Sequence, residues 1–145
     1  MQKPRVLFLC TGNSARSQMA EAFLRKYAGD KYEVHSAGVE AKGFIIPDVI
    51  TVMKELEIDM DGQWSKSVKE YLGKLHFSYV ITVCNDAEKN CPAIFLNMGT
   101  HEHWAFDDPA AFEGTDDERL SRTREIRNQI AQRIQEWLKV QSTQN

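Results

Sequence analysis

The sequence predicts an α/β fold: a four-stranded parallel sheet with helices on both faces, in a single three-layer domain. Three observations carry this expectation. Short apolar runs of strand length alternate with longer stretches of helical periodicity, the order that produces parallel sheets flanked by helices. The chain has 145 residues, 42% of them hydrophobic, enough for one core without disulfide or metal support. Cys10 and Cys84 each follow directly on an apolar run, and functional residues in such sheets gather at the carboxyl ends of strands.

The elements follow in order. Arg5–Leu9 reads as a buried strand. Met19, Ala20, Phe23, Leu24 and Tyr27 recur at helical spacing from about Ser17, with Gly29 as C-cap. Tyr32–Ser36 is the second strand, ended by Ala37-Gly38. Pro47 opens a helix carrying Val49, Val52, Met53 and Leu56. A short helix is expected around Ser67–Leu72, stopped near Gly73. Phe77–Val83, rich in β-branched and aromatic residues, is a third strand, and His101–Phe106 a fourth. The last helix, about Glu118–Leu138, places Ile126, Ile130, Ile134, Trp137 and Leu138 on one face. Residues 1–140 form one domain on this reading, and Gln141–Asn145 a frayed tail.

Composition excludes several classes. Charged residues make up 27% and the formal net charge is −3, so no polyanion-binding footprint stands out and no nucleic-acid partner is expected. No apolar stretch approaches the roughly 18 residues of a membrane-spanning helix, and no signal-peptide core is present. A cytoplasmic protein, monomeric and without membrane contact, is the expectation. Its three cysteines should then be reduced at rest, which favours a chemical role over a structural one.

Cys10-Thr11-Gly12-Asn13-Ser14-Ala15-Arg16 is the segment richest in chemistry. A strand delivers the sulfur, Gly12 lets the backbone curl, and the following helix start turns its N–H groups toward one anion. Arg16 closes the cradle with a planar fork of donors suited to bidentate oxyanion contacts. The same groups favour thiolate at Cys10. An ordinary cysteine is only about 3% ionised at pH 7, and such surroundings can bring its pKa to roughly 3.5–7.5. The bland alternative is a buried strand-end cysteine with a surface arginine nearby.

Two further features bear on this loop. Neighbouring strands lie about 4.8 Å apart, inside the roughly 4.4–6.8 Å Cα separation of disulfides. Cys10 and Cys84 can therefore exchange a bond if the first and third strands are neighbours. Cys91 follows Cys84 by seven positions, a rise of about 10.5 Å on a regular helix. A Cys84–Cys91 bond thus requires that segment to loop out, and two unrelated buried thiols are the alternative. A zinc site from Cys84, Cys91, His101 and His103 is disfavoured, because the cysteines are too far apart for the usual close pair. Asp108 precedes Pro109, which holds it extended and suits it to act as a general acid on a leaving oxygen. A plain loop turn is the competing reading.

Together these residues resemble the low-molecular-weight tyrosine phosphatases, and more closely the arsenate reductase branch recycled by thioredoxin. The resemblance runs over almost the whole chain, from C-T-G-N-S-A-R-S-Q-M-A-E at Cys10–Glu21, through Y-E-V-H-S-A-G, to V-I-T-V-C-N-D-A-E-K-N-C-P and H-W-A-F-D-D-P-A. It implies that Cys10 attacks arsenic while Arg16 and the amides of Thr11–Ala15 hold the oxyanion. Ser17 would stabilise the Cys10 thiolate, Asn13 and Ser14 would hold the loop's shape, and Asp108 would assist departure of water. Cys84 would then attack Cys10, releasing arsenite, and Cys91 would take over Cys84 to present a Cys84–Cys91 disulfide to thioredoxin. No metal or organic cofactor is implied, and phosphate or sulfate would compete with arsenate.

Departures from the family pattern sharpen the expectation. Ala110 follows Asp108-Pro109 where phosphatases of this kind usually carry an aromatic residue. Ala15 stands where a cysteine is frequent, and Ile94–Thr100 lacks the prolines often found there. Some relatives bind a monovalent cation at residues matching Asn13, Glu21 and Ser36. The acidic member expected near Gln63–Lys66 is Lys66 here, either an ammonium that substitutes for the cation or an ordinary exposed lysine. The rival readings are a small phosphatase whose extra cysteines restrain Cys10, and a non-enzymatic oxyanion or thiol sensor.

Overall fold

A computed structural model describes residues 2–84 and 98–143. Its elements are β1 (Arg5–Cys10), α1 (Arg16–Ala28), β2 (Glu33–Gly38), α2 (Pro47–Lys54), a 3₁₀ turn (Val68–Glu70), β3 (Tyr79–Thr82), β4 (Thr100–His103), a second 3₁₀ turn (Pro109–Ala111) and α3 (Asp116–Thr143). The four strands are parallel, in the order β2-β1-β3-β4. The chain therefore moves first to one side of β1 and then to the other. The carboxyl end of β1 lies where the strand order reverses, the usual place for a ligand in such sheets.

The strand residues explain why β1 is central. Val6–Cys10 are all buried, and because successive side chains alternate between faces, both faces there are covered. On β2, Ser36 hydrogen-bonds Glu21 of α1, whereas His35 points the other way and meets the rings of Tyr71 and Phe77. Helix α1 packs on β1 and β2, and α3 lies against both α1 and α2. The apolar face read in the sequence, Ile126, Ile130, Ile134 and Trp137, is buried. Trp137 meets Tyr32 at a tilt and Tyr79 edge-to-face, and donates its indole N–H to Glu102. Arg124 and Arg127 of α3 both grip Glu55 at the end of α2.

Several boundaries differ from expectation for local reasons. Helix α3 begins at Asp116, because the backbone N–H groups of Thr115 and Glu118 each donate to the other's side-chain oxygen, a capping box. It continues to Thr143 rather than fraying at Gln141, whose side chain accepts from Tyr79 Oη. The segment after Ser67 makes only one 3₁₀ turn, with the Ser67 hydroxyl accepting from Lys69 N–H. The fourth strand is shifted to Thr100–His103, and Trp104 N–H still donates to Thr82 O at 2.8 Å. Gly29 does cap α1 but in right-handed geometry. Among the described residues, no helix is long and apolar enough to cross a membrane.

Candidate active site

The loop from Thr11 to Ala15 joins the carboxyl end of β1 to α1. It is strapped by the segment after β2: Val39, Glu40 and Lys42 donate their N–H groups to the carbonyls of Cys10, Thr11 and Gly12 at 2.9–3.0 Å. Ile46 N–H donates to Ser14 O at 2.9 Å. Gly38 lies directly beneath, where a Cβ would stand 2.6 Å from Thr11 O and 2.9 Å from Asn13 N. Only a residue without a side chain lets the strand pass so close.

The curl of this loop falls at Asn13, not at Gly12. Asn13 has φ of 49°, the left-handed region that asparagine tolerates better than most residues. A Cβ at Gly12 would lie 3.1–3.2 Å from the aliphatic stem of Lys42, a contact that a small shift of this exposed side chain relieves. The Asn13 carbonyl oxygen Oδ1 accepts from Lys66 N–H at 2.7 Å and from Gln18 Nε2 at 2.9 Å. With Oδ1 so engaged, Nδ2 must face the other way, where it donates to Ser17 Oγ at 2.8 Å and Ser36 Oγ at 3.0 Å. Ser36 in turn donates to Glu21 Oε1 at 2.6 Å.

This sets the polarity at the sulfur. Ser17 Oγ, already accepting from Asn13, lies 2.8 Å from Cys10 Sγ, so its own proton is directed at the sulfur. The Asn13 N–H donates to the same atom at 3.1 Å. Both bonds favour thiolate, as does the Arg16 guanidinium. Burial works the other way and is the largest influence. With Cys10 only 2% exposed, withdrawal from water pushes its thiol above the ordinary value, and the nearby Cys84 adds to the rise. The expectation of a lowered pKa therefore fails in this state of the loop, since desolvation outweighs the donors.

Arg16 donates from Nη1 to the carbonyl of Phe106 at 3.0 Å and approaches Asp108 Oδ2 at 3.3 Å through Nη2. Its Nε is buried without a hydrogen-bond partner among the described residues. Asp108 is extended, as Pro109 requires, and caps the second 3₁₀ turn by accepting from Ala110 N–H at 3.0 Å. A cavity of about 370 Å³ is lined by Cys10, Thr11, Gly12, Ser14, Ala15, Arg16 and Asp108, with Glu40 and Lys42 at its side. Cys84 follows β3, which pairs with β1 through Leu9↔Thr82, and its Sγ lies 3.3 Å from Thr11 Oγ1. Cys91 lies outside the described residues. His103 contacts Thr82 Oγ1 at 2.8 Å through Nδ1, and no cluster of three or more His, Cys, Asp or Glu among the described residues suits a metal ion.

The loop residues, Arg16, Ser17, Asp108 and Cys84 thus come together at one end of the sheet. Glu40, Lys42, Gln18 and the Phe106 carbonyl were not singled out by the sequence reading. The position of 39–42 after the second strand was the available signal, since strand carboxyl ends gather the site.

Beneath the loop, Lys66 and Glu21 are 4% exposed each. Lys66 Nζ donates to Trp64 O at 2.8 Å, stands 3.6 Å from Glu21 Oε1, and lies over the Trp64 ring. Burial pulls its pKa below the ordinary lysine value, and Glu21 opposes that shift. Arg25 pairs with the second Glu21 oxygen at 2.8 Å.

Comparison with known proteins agrees with this geometry. Residues 5–145 match the family of low molecular weight phosphotyrosine protein phosphatases. An arsenate reductase of Halalkalibacterium halodurans is 46% identical over 135 residues, covering 92% of this chain and 94% of that protein. A solved arsenate reductase in a phosphate-binding state superposes with a TM-score of 0.78 at 30% identity, covering 94% and 97% of the two chains. The thioredoxin-dependent arsenate reductase of Corynebacterium glutamicum superposes at 0.75 and 29% identity, covering 99% of this chain and 64% of that one.

Proposed function

The chain belongs to the low molecular weight phosphotyrosine protein phosphatase family, and within it we propose that this protein is a cytoplasmic arsenate reductase regenerated by thioredoxin. The observation that carries the reading is the placement of two buried cysteines at adjacent strand ends, one of them lining a cavity shared with Arg16 and Asp108. A simple phosphatase needs only the first.

Arsenate enters against the loop amides and Arg16, whose unpartnered Nε is available to an oxygen. A dianionic oxyanion is itself a base able to take the proton of the Cys10 thiol, after which Ser17 and the Asn13 N–H stabilise the thiolate. Cys10 Sγ attacks arsenic, and Asp108 gives a proton to the departing oxygen, which leaves as water. Cys84 then attacks Cys10 Sγ. The sulfur–sulfur bond forms, the sulfur–arsenic bond breaks, and its electron pair stays on arsenic as arsenite. Cys91 displaces Cys10 from Cys84, and the Cys84–Cys91 disulfide takes two electrons from thioredoxin. The names of the relatives support the substrate and the reductant.

Hydrolysis of an aryl phosphate in the same cradle is expected as a slow side reaction, because Ala110 stands where phosphatases of this kind usually carry an aromatic residue. The test is NADPH consumption with arsenate, thioredoxin and thioredoxin reductase, in wild type and Cys91→Ser. Multiple turnovers in the first and at most one in the second support the relay. Brisk aryl phosphate hydrolysis with no arsenate-dependent turnover would reverse the assignment to phosphatase.

A further inference from the structure

The monovalent cation implied beside Asn13, Glu21 and Ser36 does not fit this chain. Asn13 Oδ1 already accepts from Lys66 N–H and Gln18 Nε2. Ser36 Oγ gives its proton to Glu21. The remaining place, against Glu21 Oε1 and the Trp64 carbonyl, is filled by the Lys66 ammonium at 3.6 and 2.8 Å. A second cation would be set against an ammonium in a water-poor pocket, where like charges repel strongly.

We propose that Lys66 is a positioning residue whose side chain serves as a built-in cation, holding the Cys10 loop in working geometry without a bound metal ion. The path is continuous. Lys66 neutralises the buried Glu21, Glu21 orients Ser36, Ser36 and the Lys66 backbone N–H fix both ends of the Asn13 amide, and Asn13 turns the Ser17 proton toward Cys10 Sγ. Each link is a hydrogen bond of 3.0 Å or less except the first, an ion pair at 3.6 Å. Asn13 needs such support because its left-handed backbone is costly for a residue with a side chain.

The inference rests on Cys10 being the reactive thiol of the proposed relay, and its test uses neither arsenate nor thioredoxin. Cys10 alkylation by iodoacetamide, located by peptide mass spectrometry, and thermal stability are followed as potassium chloride replaces choline chloride at fixed ionic strength. Wild type should be indifferent to the exchange in both readouts. Lys66→Asp should alkylate at least about tenfold more slowly in choline and recover in potassium, with a rise in Tm from cation binding to the folded state. Lys66→Met, which keeps the stem but not the charge, should show the same slowing while retaining its fold by circular dichroism. Potassium that accelerates or stabilises wild type as it does Lys66→Asp would overturn the proposal. So would a folded Lys66→Met that alkylates at the wild-type rate.

Discussion

Ser17 Oγ lies 2.8 Å from Cys10 Sγ while accepting a hydrogen bond from Asn13 Nδ2 at the same distance. The hydroxyl has one proton, and the amide's presence leaves it only the sulfur as acceptor. An alcohol seven residues along the chain therefore counteracts the desolvation that raises the Cys10 thiol. Ser17→Ala should remove a donor whose bond to a charged sulfur is worth about 1.5–3 kcal/mol. The Cys10 pKa should rise further, seen as an upward shift of the alkylation–pH profile. An unmoved midpoint would show that the hydroxyl does not donate.

Asp108→Asn keeps the size of the side chain and its place beside Arg16 but withholds the acid proton. Single-turnover arsenate reduction should slow by about 10²–10⁴-fold, with substrate affinity changed much less. A loss confined to affinity would mean that Asp108 only orients Arg16.

Lys42 stands at the edge of the cavity with its stem over Gly12. Lys42→Met preserves that packing and removes the charge. The KM for arsenate should rise severalfold with kcat nearly constant, and the difference should shrink as salt screens the field. A salt-independent effect would point to lost packing instead.

Glu55 joins α2 to α3 through Arg124 and Arg127, and those hydrogen bonds bring its carboxyl down to about 2. A depressed acid stabilises the fold above its unfolded value near 4.5 and loses that contribution as pH falls toward 2. Glu55→Gln should therefore lower Tm at pH 7, and its deficit relative to wild type should close between those two pH values. A deficit unchanged at acid pH would locate the effect in packing rather than charge.

Ile130 is fully buried on the face of α3 that the sequence periodicity identified. Ile130→Ala should cost about 2–5 kcal/mol in denaturant unfolding, while the loop chemistry of any folded fraction stays intact.

The parts of the site carried by residue type were legible in the sequence. Cys10, Arg16 and Asp108 each have side chains whose chemistry narrows their use, and an apolar strand and a proline supplied their context. Strand alternation likewise placed Cys84 at the same sheet end as Cys10. What escaped were relations that run through backbone atoms or shared space. The assignment of the curl to Gly12 followed conformational preference, but four side-chain hydrogen bonds hold Asn13 in the left-handed region and the Lys42 stem lies over Gly12. The early start of α3 was available in Thr115-x-x-Glu118, a signature shorter than the apolar period used to find the helix. The Cys10 pKa went in the opposite direction because donors can be read from a motif, whereas depth of burial cannot.

The site draws on β1, the strap after β2, the end of β3 and the turn before α3, and Asp108 follows Cys10 by 98 positions. At a synthesis rate of about 5–20 residues per second, the cysteine is made roughly 5–20 s before its acid partner. Through that interval neither Cys84 at the end of β3 nor Asp108 before the second 3₁₀ turn is in place beside it. Completion of the sheet both shelters that sulfur and equips it.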